Sequence, residues 1–99
     1  MTAQQHFINR LRERYGMPCN YCVYEYLRAI AKRKIKYIKK KKGNRVEVPI
    51  TPNFNKIRAM TRGDFTARSN IIYVIYDMKS DLLITALPTH DESTRYSKA

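Results

Sequence analysis

The sequence predicts an α+β fold, with two N-terminal helices packed on one face of an antiparallel sheet of three to five strands. Three observations predict it. Apolar residues recur at helical spacing over the first third of the chain. Runs of β-branched and aromatic residues dominate the second half. Turn residues separate these patterns. The 99 residues suffice for one domain, taken as 1–99, and for a modest core without staples. The apolar content of 43% lies well above that of a disordered chain. With no Trp, the core falls to Ile, Leu, Val, Phe and some of the eight Tyr.

Residues 2–15 read as an amphipathic helix. Thr2 is its N-cap, and Phe7, Ile8 and Leu11 lie near one face, with Arg10, Arg12 and Arg14 mostly on the other. Gly16 suits the position after a helix, and Pro18 prevents continuation. A second helix begins near Cys19 or Asn20. Val23, Leu27, Ile30 and Lys34 follow helical spacing there, flanked by Tyr26 and Ala31. Residues 34–38 read either as its last turns or as the first arm of a hairpin. Lysines suit the negative end of the helix dipole, which extends the predicted helix to about Lys40.

Lys42-Gly43-Asn44 then forms a turn. Residues 45–50 form a short strand with Val46, Val48 and Ile50 on one side. Thr51-Pro52-Asn53 breaks it. Residues 54–62 fit a short helical turn or a strand, Gly63-Asp64 is a turn signal, and residues 65–69 alternate weakly. Two apolar runs follow, 71–76 and 82–87, joined by the polar connection 77–81. They predict a hairpin placed centrally in the sheet. Pro88 ends the second strand, and residues 89–99 form a polar tail.

Charge is the dominant functional signal. Twenty Lys and Arg against eight Asp and Glu give +12, and residues 28–45 hold ten basic residues and no acidic one. Solvated faces normally mix both signs, so this concentration points to a polyanionic partner, RNA above all. Lys34, Lys36, Lys39, Lys40, Lys41, Lys42 and Arg45 are the candidate phosphate contacts. An anionic membrane fits less well, because no strong Trp, Phe and Leu face accompanies the run. No segment approaches the ~18 continuous apolar residues of a membrane span. Residues 1–16 lack the apolar core of a signal peptide. The expected compartment is the cytoplasm.

Cys19 and Cys22 form a Cys-x-x-Cys pair. A zinc site needs two more ligands, and only His6 and His90, far apart in sequence, are candidates among the histidines. A redox pair should follow a strand of a parallel sheet, and none precedes it. The expected state is two reduced thiols at a helix start, one of them buried. No metal and no cofactor is expected.

The tail concentrates reactive groups: Thr89, His90, Asp91, Glu92, Ser93, Thr94, Arg95 and Tyr96. Metal-free RNA cleavage needs a base for the 2′-hydroxyl, an acid for the departing 5′-oxygen and a cation at phosphorus. His90 suits either proton role. Arg68 and Arg62 suit the phosphate. Arg68 is expected on a strand just before the hairpin, facing the same groove as His90. Glu47 and Tyr96 complete the candidate set. Each also has an ordinary reading as a surface side chain or a solvated end. Tyr73 and Tyr76 fall on opposite faces of their strand, so one belongs to the core and the other is available to stack on a base.

The segments Ser69-Asn70-Ile71-Ile72-Tyr73-Val74-Ile75-Tyr76-Asp77 and Asp81-Leu82-Leu83-Ile84-Thr85-Ala86-Leu87-Pro88-Thr89-His90 resemble the last hairpin of RelE-type ribonuclease toxins. Two helices before an antiparallel sheet resemble the plan of barnase and the colicin-type tRNases. The resemblance covers about the last third of the chain. It implies a metal-independent endoribonuclease, a toxin-like or phage-like effector, with His90 and Arg68 in the site, and Thr89, Ser93 and Tyr96 less directly. Glu47 matches a barnase-like base only by lying on an early strand. RelE toxins begin with a strand, whereas residues 2–15 here read as a helix.

Three readings remain open on sequence alone. The first is that ribonuclease, acting on mRNA, tRNA or the ribosome, with a small acidic antitoxin as partner. The second is a non-catalytic nucleic-acid or ribosome-binding module. The third is a small basic inhibitor or adaptor of an anionic host protein.

Overall fold

A computed structural model describes residues 2–38 and 43–88 of the chain. The first helix, α1, spans Ala3–Tyr15. Thr2 starts it with a reciprocal capping box. The Gln5 N–H donates to Thr2 Oγ1 at 3.1 Å, and the Thr2 N–H donates back to Gln5 Oε1 at 3.4 Å. Gly16 ends it at φ 65°, a left-handed conformation that glycine reaches without strain, and its N–H donates to the Arg12 carbonyl.

The second helix, α2, spans Tyr21–Lys34. Asn20 caps it through the Val23 N–H and also donates from its side chain to the Met60 carbonyl. The buried stripe is Val23, Tyr24, Leu27 and Ala31. Tyr24 thus joins the core where sequence spacing assigned Ile30, which is half-buried. Its ring meets Phe7 edge-on, with centroids 5.6 Å apart.

The helix stops at Lys34, short of the predicted Lys40. A single 3₁₀ turn follows over Ile35–Tyr37, and Ile38 is extended. In this turn, where positions i and i+3 align, Ile35 and Ile38 pack against the core while Lys36 and Tyr37 face solvent. Residues 39–42 lie outside the described residues.

Strand β1 spans Arg45–Ile50, with Val46, Val48 and Ile50 buried as its alternation predicts. The ambiguous segment is a helix, α3, over Phe54–Thr61. Asn53 caps it by accepting the Lys56 N–H, and Ile57 faces inward. Residues 65–69 form no strand. The Arg68 N–H donates to the Tyr15 carbonyl at the end of α1, so this backbone closes a helix end instead of joining a ladder. The hairpin comprises β2, Ile72–Asp77, and β3, Leu82–Ala86.

Among the described residues the sheet order is β1-β2-β3, antiparallel throughout, with an irregularity in the β2–β3 register after Ile75. Only β2 is therefore central, and β3 is an edge strand. Both edges are blunted by side chains. On β1, Pro49 has no N–H to offer, and Lys34 Nζ donates to its carbonyl at 3.0 Å. On β3, the Leu83 N–H donates to the Tyr24 hydroxyl at 3.0 Å, and Arg14 donates to the Ala86 carbonyl at 2.6 Å. The helices cover one sheet face. Between them lie Phe7, Leu11, Tyr15, Met17, Leu27, Val48, Ile50, Ile72, Val74 and Leu83, all fully buried. Tyr76 belongs to this core at 2% exposure, while Tyr73, on the opposite face, is half-buried.

Among the described residues no helix is long and apolar enough to cross a membrane.

Candidate nucleic-acid interface

The end of α2 gathers cations. Lys32, Arg33 and Lys34 fill its last turn, where the helix dipole favours positive charge, and Lys36 follows on the 3₁₀ turn. Their side chains diverge in use. Lys34 turns inward to the Pro49 carbonyl, so it seals the sheet edge and is not part of the open face. Lys32 is 62% exposed and lies 3.6 Å from Asp81. Arg33 and Lys36 are exposed and make no ion pair among the described residues. Between Lys36 and the lysine run sits Tyr37, 82% exposed.

The β2–β3 turn borders this cluster. Arg45, at the start of β1, lies 3.6 Å from Asp77, and Lys79 is exposed in the turn itself. The two carboxylates here are committed to the fold. Asp77 accepts the Ser80 and Lys79 backbone N–H groups, which close the turn. These bonds, that of Ser80 foremost, hold its carboxyl below the usual range, and Arg45 reinforces the effect. Asp81 sits at φ 59°, accepts the Tyr76 O–H on one oxygen and Arg28 at 2.6 Å on the other. The Tyr76 bond first, then Arg28, hold its carboxyl low. Arg28 also binds Glu25 at 2.6 Å. Lys32 and Arg45 are exposed and held by single long contacts of 3.6 Å, so such ion pairs are weak and an incoming phosphate can compete for both cations.

Among the described residues, the catalytic candidates Glu47, Arg62 and Arg68 lie on three different elements of the fold. Glu47 is exposed on β1, its backbone opposite Ile75 on the sheet face away from the helices. Arg62 is the left-handed C-cap of α3 at φ 54° and points to solvent. Arg68 lies in a loop and not on a strand. Its guanidinium donates to the Glu13 carbonyl at 2.6 Å, which satisfies a free acceptor at the end of α1. Arg14, the residue that follows Glu13 in α1, donates to the Ala86 carbonyl at the end of β3. His90 and Tyr96 lie outside the described residues, as do Lys39, Lys40, Lys41 and Lys42.

Cys19 is buried and Cys22 exposed, both as free thiols. Burial pushes the Cys19 thiol up to about 12, against a smaller downward pull from Arg12. Among the described residues no three His, Cys, Asp or Glu side chains gather as a metal site.

Sequence reasoning missed Lys32, Arg33 and Tyr37 as members of this face. A signal for Tyr37 was present, since it is the single aromatic residue between Arg28 and Arg45. Comparison with known proteins gave no match to any family model, curated protein or solved structure.

Proposed function

We propose that this chain is a nucleic-acid-binding module, with RNA as its ligand, acting in the cytoplasm. The face that binds is the end of α2, the 3₁₀ turn, the start of β1 and the β2–β3 turn. The observation that carries the reading is the exposed set Lys32, Arg33 and Lys36. Among the described residues its one carboxylate ion-pair partner, Asp81, is already engaged by Tyr76 and Arg28. A cationic surface with its acidic neighbours engaged is an attractive field for phosphates. Lys39, Lys40, Lys41 and Lys42 follow directly in sequence and extend the charge.

The test is a titration of a labelled unstructured RNA with the protein and with a Lys32→Ala, Arg33→Ala, Lys36→Ala variant. The variant weakens binding by roughly tenfold or more, because three phosphate contacts are lost. Equal affinity of the two proteins contradicts the reading.

A ribonuclease of the RelE or barnase type keeps one supporting observation. Arg14 is anchored at the end of β3 and Arg68 at the adjoining end of α1. The strand leading to this corner continues in sequence to His90. Total RNA incubated in EDTA with wild type and with His90→Ala separates the two readings. Cleavage by the wild type alone supports an enzyme, and bound but intact RNA supports the module. An acidic antitoxin or the ribosome is the corresponding protein-level partner.

A further inference from the structure

The most exposed large hydrophobic side chain among the described residues is Tyr37, at 82%. A tyrosine normally buries its ring and keeps only its hydroxyl wet. Here the opposite holds, and the local geometry accounts for it. Ile35 and Ile38 anchor the 3₁₀ turn to the core, and the Ile38 N–H closes it on the Ile35 carbonyl at 3.3 Å. With both isoleucines facing inward, residue 37 projects outward. The ring is thus presented by a fixed piece of backbone beside Lys36 and the Arg33 turn of α2.

We propose that Tyr37 stacks on an unpaired base, so that the ligand of the basic face is single-stranded RNA. The inference rests on the nucleic-acid reading above and narrows it. Three arguments favour a single strand. An exposed ring flanked by cations reproduces the combination of stacking platform and phosphate track by which single strands are held. A paired base inside a duplex has both faces covered by its neighbours and offers none to a side chain. The deep, narrow major groove of A-form RNA also excludes a ring carried on a helix end. Tyrosine loses little conformational freedom on docking, having two side-chain torsions.

Tyr21 is the obvious alternative, at 58% exposure, and its surroundings argue against it. It lies at the opposite end of α2 from Lys32, Arg33 and Lys36, with Glu25 one turn along the helix. Of the two tyrosines on β2, Tyr76 is core and Tyr73 is half-buried on the sheet face away from the helices, so Tyr37 is the most exposed of the three.

The experiment measures affinity of the protein, Tyr37→Ala and Tyr37→Phe for one labelled single-stranded RNA. The same strand with abasic sites and the same sequence as a duplex serve as controls. Tyr37→Ala should bind the single strand about tenfold more weakly, and Tyr37→Phe within about twofold of wild type, since either ring stacks. Abasic RNA should lose affinity for the wild type and show no further loss with Tyr37→Ala. Duplex binding should be weaker than single-strand binding and unaffected by either substitution. Equal single-strand affinity of wild type and Tyr37→Ala overturns the stacking role while leaving the nucleic-acid reading intact. An equal loss in Tyr37→Phe overturns it also, because the hydroxyl and not the ring would then be the contact. Failure of the wild type to bind any of the three RNAs overturns both. Tyr37 is exposed, so the variants keep the fold, and their circular dichroism should match the wild type.

Discussion

Arg28 Nη1 donates at 2.6 Å to Asp81 Oδ2 and at 3.2 Å to the Asp81 carbonyl, so one side chain of α2 holds both the carboxylate and the backbone of the hairpin turn. Tyr76 donates to the remaining carboxylate oxygen. Asp81 is thereby fixed in the left-handed conformation that lets the chain return into β3. Replacing Arg28 with Met keeps the aliphatic stem and removes these bonds. Allowing for partial exposure of the pair, the loss is about 1–2 kcal/mol. The melting temperature of Arg28→Met should fall by roughly 4–15 °C. An unchanged melting temperature would show that the hairpin turn needs no anchor on α2.

The same cluster sets limits on pH stability. Asp77 and Asp81 have folded-state pKa values below their unfolded ones. Their contribution is present above the unfolded value, about pH 4, and is lost as pH falls through the lower folded value. Tyr76 has the opposite sign. Burial first, and then Asp81, push it up to about 12. Its contribution is complete below about pH 10, the unfolded value, and is lost as pH rises to about 12. Buried Tyr24 is also raised and adds to the alkaline loss. Denaturant midpoints measured against pH should therefore fall at both ends. Asp81→Asn should flatten the acid limb, and Tyr76→Phe should reduce the alkaline one without abolishing it.

The two thiols should differ in reactivity. Cys22 is exposed on the first turn of α2, whereas Cys19 is 6% exposed with its thiol held protonated by burial. One equivalent of a thiol reagent should react with the native protein near pH 8. Two equivalents should react in denaturant. Rapid modification of both in the native state would contradict the packing of the segment between α1 and α2.

The sequence carried the helices and the hairpin well because their signals are local. Thr2, Gly16 and Pro18 mark the limits of α1, and the alternation of Val46, Val48 and Ile50 marks β1. The errors came where tertiary contacts decide. The lysines of residues 34–42 support a longer helix, but α2 gives way to a 3₁₀ turn at Ile35, with Ile35 and Ile38 packed against the core. Arg68 reads as a strand residue until the end of α1 is seen to need its N–H and guanidinium. The basic face was legible as charge. Which cations stay open was not, because Lys34 is drawn to the Pro49 carbonyl by an edge strand that spacing cannot locate. Tyr37 was hidden for the same reason, since its exposure follows from the turn that buries its neighbours.

The most direct test of the central claim is the salt dependence of single-stranded RNA binding. Affinity should fall linearly on a log–log plot with a slope of about −0.7 per phosphate contact, so Lys32, Arg33, Lys36 and Arg45 together predict about −3 or steeper. Removing Lys32, Arg33 and Lys36 should make the slope shallower by about 2. A slope near zero, or one unchanged in that variant, would contradict a nucleic-acid interface at the end of α2.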